Sequence, residues 1–120
     1  METFTVHRVF SDAEGDSHFE EVEVPLEPSG EIGFLSGRIP VKEVMFRTVL
    51  PSYDYDFHNA PDRQYIVLLD GRIEIETSLG EKKEFGAGEV LLVEDVTGKG
   101  HRTRNLINQP RRSIFVTLPG

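Results

Sequence analysis

Apolar residues in this chain recur in short alternating runs, and no stretch sustains the period of an amphipathic helix. Phe4 to Phe10, Phe19 to Val24 and Glu43 to Leu50 each read as a strand ending at a turn residue. In Arg72 to Thr77, Ile73 and Ile75 point to one face and Glu74 and Glu76 to the other, the two-residue period of a half-buried strand. Gln64 to Leu69 precedes it, with the hairpin signal Asp70-Gly71 between. Lys82 to Phe85, Val90 to Val93, His101 to Ile107 and Ser113 to Leu118 complete the series, and the apolar run Val90 to Val93 predicts a strand buried on both faces. Nine or ten short strands about ten residues apart predict an all-β sandwich or barrel. The stretch 27–40 is the least regular and reads as a loop or arm.

A chain of 120 residues makes one domain. We place the core at about 43–118 and assign 1–42 to N-terminal strands and the arm. No run approaches the ~20 apolar residues of a membrane-spanning helix, and Met1-Glu2-Thr3-Phe4-Thr5 lacks the basic start and apolar core of a secretory leader. There is no cysteine, which removes thiolate ligands, a thiol nucleophile and disulfides. The expected setting is cytoplasmic, with no membrane partner. The net charge of −8 argues against a nucleic-acid partner. Charge is also divided along the chain. Eight acids and no Lys or Arg lie between Asp12 and Glu31, whereas no acid follows Asp95, where Lys99, Arg102, Arg104, Arg111 and Arg112 stand. This describes either two solvated faces of opposite sign or a basic rim that attracts an anionic ligand.

The polar residues that interrupt the strands point to a site. His58 and His101 lie 43 residues apart, each at the start of a strand that should line one barrel interior. Gln64 opens the otherwise apolar Gln64-Tyr65-Ile66-Val67-Leu68-Leu69 and shares its face with Ile66 and Leu68, while Tyr65 points outward. A buried amide must be hydrogen-bonded or coordinated, or it costs a few kcal/mol. If Tyr53 to His58 is extended, Asp54, Asp56 and His58 share one face and Tyr53, Tyr55 and Phe57 the other. Asp56 then offers a carboxylate to a ligand, or is a solvated loop acid. Arg47 and Arg63 are candidate anion clamps, since a guanidinium grips a carboxylate with two hydrogen bonds; surface ion pairing is the alternative. The segment Glu94 to Gly100 reads as a mouth loop whose Lys99 meets an anionic group, or as a plain turn.

The spacing of these residues resembles that of the cupins, small jelly-roll barrels. Their first motif, G-x5-H-x-H-x3,4-E-x6-G, is similar to His58-Asn59-Ala60-Pro61-Asp62-Arg63-Gln64 followed by Gly71. Ala60 stands where the second histidine belongs, Gln64 where the glutamate does, and Ser52 replaces the leading glycine. The second motif, G-x5-P-x-G-x2-H-x3-N, matches Gly98 to Asn105 through Gly98, His101 and Asn105. Gly88 serves as its opening glycine, the segment to Gly98 is two residues longer than usual, and Val96 replaces the proline. The resemblance spans residues 44–118. It implies a single-domain double-stranded β-helix with a degenerate metal motif. His58, Gln64 and His101 would be the ligands of a divalent ion (zinc, nickel, manganese or iron). It also implies a homodimer, for which the N-terminal strands with their free edges are the physical candidates.

Three functions remain open from the sequence. The barrel binds a small polar or anionic molecule beside a weak metal site. Alternatively, a metal-free isomerase or lyase uses His58 or His101 as acid and base. In the third, the barrel is a ligand sensor without turnover.

Overall fold

The computed structural model describes residues 2–120; Met1 lies outside the described residues. In chain order the strands are β1 (Thr3–Ser11), β2 (Ser17–Pro25), β3 (Glu27–Pro28), β4 (Phe34–Leu35), β5 (Glu43–Val49), β6 (Asp54–His58), β7 (Gln64–Leu68), β8 (Arg72–Thr77), β9 (Lys82–Gly86), β10 (Val90–Val93), β11 (His101–Asn105) and β12 (Arg111–Thr117). Two sheets face each other. The larger has the order β2-β1-β10-β7-β12-β5, and the smaller β6-β11-β8-β9. Within the irregular arm, β3 pairs with β4 around a single 3-10 turn at Gly30–Ile32. All ladders are antiparallel except that of β1 with β10. No helix among the described residues is long and apolar enough to cross a membrane.

The closed barrel expected from the sequence is not formed. No ladder joins the edge strand β5 to the edge strand β6, so the two sheets make an open sandwich. From β5 onward the chain alternates between the sheets, except that β8 and β9 form a hairpin within the smaller one.

The core lies between the sheets and is built by strand alternation. Ile73 and Ile75 of β8, Phe85 of β9, Leu91 and Val93 of β10, and Leu68 of β7 are all buried there. Sealing a side chain such as Phe85 from water contributes roughly 2–3 kcal/mol. The intervening Glu74 points outward and pairs with Arg104 across β8 and β11. Strand β10 is central but not buried on both faces as its composition suggested. Leu91 and Val93 are sealed, whereas Val90 and Leu92 are only half-buried, and Val90 lines an open apolar groove of about 440 Å³ on the outer face. Tyr65 and Val67 of β7 line the same groove, where arm residues Phe34, Leu35 and Ile39 form its rim.

The hairpin at Asp70-Gly71 has a second structural role. Gly71 adopts φ +71, and a Cβ there would also press on the Arg111 side chain, 3.1 Å from both Cγ and Cδ. Asp70 meanwhile accepts from the Arg112 backbone N–H at 2.7 Å and from Arg112 Nε at 2.8 Å, tying the β7–β8 turn to β12.

Candidate functional site

A cavity of about 270 Å³ opens between the sheets. The smaller sheet contributes His58, His101, Thr103 and Tyr55 to its wall, and the larger contributes Arg47, Gln64, Leu91 and Phe115. The connection Asn59–Pro61 closes one side. Ala60, at the position of the missing cupin histidine, also lines the wall and is buried.

The two histidines meet because β6 and β11 pair with His58 opposite His101. Their ring centroids are 4.7 Å apart. His101 opens β11, but His58 closes β6 rather than starting a strand. Between the pairs His101–His58 and Thr103–Tyr55, three steps on β6 oppose two on β11, so a β-bulge takes up one residue at Asp56–Phe57. This bulge overturns the face assignment made from simple alternation. His58 joins the face of Tyr55, and the two rings stack at 3.6 Å with a 19° tilt. Asp56 is left exposed, its carboxylate accepting from the Phe57 backbone N–H at 2.8 Å.

The hydrogen bonds at the two imidazoles fix their tautomers. His58 Nδ1 lies 2.8 Å from the Asp56 carbonyl oxygen, which can only accept, so Nδ1 carries the proton. Burial pushes the His58 pKa down from 6.5, outweighing the Asp56 carbonyl, and the neutral ring is favoured at pH 7. His101 Nδ1 lies 2.5 Å from Asp95 Oδ2, and with that carboxylate ionised it too is the protonated nitrogen. In the neutral form, each ring then carries its lone pair on Nε2.

The sequence does not single out Asp95, which reads there as one acid of an exposed loop. Its side chain is 0 % exposed, and its Oδ1 has no hydrogen-bond partner among the described residues. A period-two signal was available: Leu91, Val93 and Asp95 continue one inward face beyond the end of β10. The loop is fastened from the other side. The Asp95 carbonyl accepts from Ala60 N–H at 3.2 Å and Asn59 Nδ2 at 3.3 Å, and Asn59 Nδ2 also donates to the Gly98 carbonyl. The outward neighbour Glu94 binds Arg8 and Arg63. Burial alone would raise its pKa, but these two arginines hold it below the usual carboxylate value.

Gln64 is buried at 4 % exposure, and its Oε1 has no hydrogen-bond partner among the described residues. Arg47 lines the cavity beside Phe115, its guanidinium carbon 4.4 Å from that ring centre. Arg63 and Lys99 lie elsewhere: Arg63 pairs with Glu94, and Lys99 with Asp16 at 2.9 Å. The structure thus gathers His58, Gln64, His101 and Arg47 around one cavity and leaves Asp56, Arg63 and Lys99 outside its wall. Tyr53, Tyr55 and Thr103 join the wall; Thr103 shares the face of His101 by the two-residue period, whereas alternation put Tyr53 and Tyr55 opposite His58. No group of three or more His, Cys, Asp or Glu side chains suited to a metal ion occurs among the described residues.

No family model matches the chain, and no curated protein matches it.

Proposed function

We propose that this chain is a cupin-like jelly roll that binds a small polar or anionic molecule between its sheets and moves a proton on it with His101. The fold reading is supported by the division of β5 to β12 into two antiparallel four-strand sets, β10-β7-β12-β5 and β6-β11-β8-β9, and by the spacing of the histidine motifs. The chemical reading rests on one observation, the buried Asp95–His101 pair at the cavity wall.

A carboxylate on Nδ1 holds an imidazole in the tautomer whose Nε2 accepts a proton, and stabilises the imidazolium that results. His101 Nε2 would take a proton from a C–H or O–H of the ligand and return it to another ligand atom. This is the exchange on which isomerases and lyases depend. His58, neutral and 4.7 Å away, is placed to receive a ligand hydrogen bond or to serve the second position. The apolar wall formed by Ile66, Ile75, Leu91 and Val93 lowers the local dielectric and strengthens each polar contact. The test is solvent exchange: small keto and hydroxy acids are incubated with the protein in deuterium oxide and followed by proton NMR. Deuterium is expected to enter one C–H position of at least one acid, and His101→Gln to abolish it. Unchanged exchange in His101→Gln removes the proposal.

A metal-assisted second reading is favoured by the orphaned Gln64 Oε1. The amide can turn either end toward the cavity. His58 Nε2, His101 Nε2 and the Gln64 amide oxygen fit a weak donor set for a divalent ion, all three neutral. Such an ion, when bound, would polarise a carbonyl or enolate oxygen of the ligand. Gln64→Glu restores an anionic ligand and is expected to tighten zinc binding at least about tenfold, as measured by calorimetry. Equal, negligible zinc binding by both proteins would discard this reading.

A further inference from the structure

The chain carries more acids than bases, 21 against 13, so carboxylates are available to pair every cation. Arg8, Arg63, Arg72, Arg102, Arg104 and Arg112 each form an ion pair. Three arginines form none among the described residues. Arg38 is exposed on the arm. The other two, Arg47 and Arg111, converge on one aromatic ring: each guanidinium carbon lies 5.4 Å from the centre of Tyr53.

Arg111 is the less expected of the two. It is 1 % exposed, and both terminal nitrogens lack a hydrogen-bond partner among the described residues. Only its Nε is satisfied, donating to Asn105 Oδ1 at 2.8 Å. Arg47 lines the cavity and is held through Nε, which donates to Ser113 Oγ at 3.1 Å. Its terminal nitrogens make no hydrogen bond among the described residues. Burying a guanidinium without a counter-charge is costly, and placing a second one nearby adds repulsion. A chain rich in carboxylates that leaves the buried Arg111 and the cavity-lining Arg47 both bare beside one ring reserves them for a charge it does not itself contain.

We infer that the Arg47–Tyr53–Arg111 end of the cavity is a subsite for an oxyanion group of the ligand, a carboxylate or a phosphate monoester. Arg47 makes the contact, and Arg111 supplies a second positive charge beside Tyr53. The inference rests on reading the cavity as a ligand site, and it narrows the ligand to an anion. Burial first, and repulsion from Arg47 second, lower the Arg111 pKa to about 10, so Arg111 remains a cation at neutral pH. A bound oxyanion would relieve that repulsion. The guanidinium fork matches a carboxylate or phosphate with paired hydrogen bonds, which an ammonium cannot reproduce.

The test uses malonate, methyl phosphate and the neutral isostere malonamide, measured by calorimetry at low ionic strength. Malonate or methyl phosphate is expected to bind about 10–100-fold more tightly than malonamide, the range of a charge-assisted hydrogen-bond pair. Their ratio tells the carboxylate source from the phosphate. Arg47→Met is expected to erase the preference and Arg47→Lys to keep only part of it. The outer-face control Arg104→Met should leave it intact. Arg111 packs on Gly71 in the interior, so the substitutions are placed at Arg47, on an edge strand where a change of side chain spares the core. Equal affinity for malonamide, a preference that survives Arg47→Met, or no binding of either anion at about 20-fold excess over the expected roughly millimolar range would overturn the inference. Anion binding without any C–H exchange would instead defeat the proton-transfer reading alone, and exchange confined to neutral compounds would defeat the subsite alone.

Discussion

Gly100→Ala is expected to lower the melting temperature by roughly 15 °C, the largest loss of any single methyl group added to this chain. Gly100 adopts φ +75, and a Cβ built there would overlap the His58 carbonyl, 2.5 Å from its carbon and 3.0 Å from Asn59 N. The left-handed conformation costs a non-glycine residue about 1–2 kcal/mol, and forced displacement of packed backbone adds about 1–3 kcal/mol. A total of about 4 kcal/mol corresponds to roughly 15 °C for a domain of this size. The glycine that precedes His101 is what lets β11 approach the end of β6 closely enough for the two imidazoles to share a cavity. Ser17 Oγ adds to the constraint by donating to the Gly100 carbonyl at 2.7 Å. Thermal unfolding followed by circular dichroism measures the effect. A loss below about 5 °C would mean that the loop and β6 separate easily, and the close approach would then be no constraint on the site.

Asp95→Asn is expected to leave the fold in place and remove the chemistry. The amide matches the carboxylate in shape, and the native Oδ1 has no partner to lose. What changes is the charge beside His101. An asparagine can turn its carbonyl oxygen to accept from Nδ1, but it carries no charge, so the imidazolium formed when Nε2 takes a proton loses its stabilisation. General acid–base catalysis contributes about 10²–10⁴-fold, and exchange should fall by that factor. Nitrogen-15 NMR of the ring reads the tautomer without a substrate: Nε2 is expected to be unprotonated in the wild type. A wild-type ring already protonated at Nε2 would contradict the assigned tautomer.

Much of the sandwich was legible because strand alternation leaves a direct trace in the sequence. Ile73 and Ile75 faced inward as their period required, and Gln64 stood on the inner face with Ile66 and Leu68. What failed was alternation carried across an irregularity. The residue absorbed by the bulge in β6 reversed the faces of Tyr55 and Asp56, and nothing in Tyr53 to His58 marks it. Closure of the sheets was equally invisible, because it depends on whether β5 and β6 pair, and the apolar pattern of each strand is silent about that. For the site, spacing pointed to both histidines, while Asp95 was obscured by its place in a loop with Glu94. The arginines were harder still. Six of them find partners elsewhere in the chain, such as Arg8 with Glu94 and Arg102 with Asp54, and only those pairings make the two bare ones beside Tyr53 conspicuous.

The parallel ladder between β1 and β10 bears on how the molecule assembles. His7 pairs with Leu91 and Val9 with Val93, so β1 has one of its two neighbours more than eighty residues downstream. Until β10 exists, β1 has only its hairpin with β2, and an isolated two-stranded ribbon is marginal in water. Val9, which ends fully sealed in the core, must therefore wait exposed while most of the chain is made. Such distant pairing slows folding, because the entropy of closing the long loop is lost before the contacts form. The larger sheet is thus complete only once β10 and β12, both far down the chain from β1, have been made.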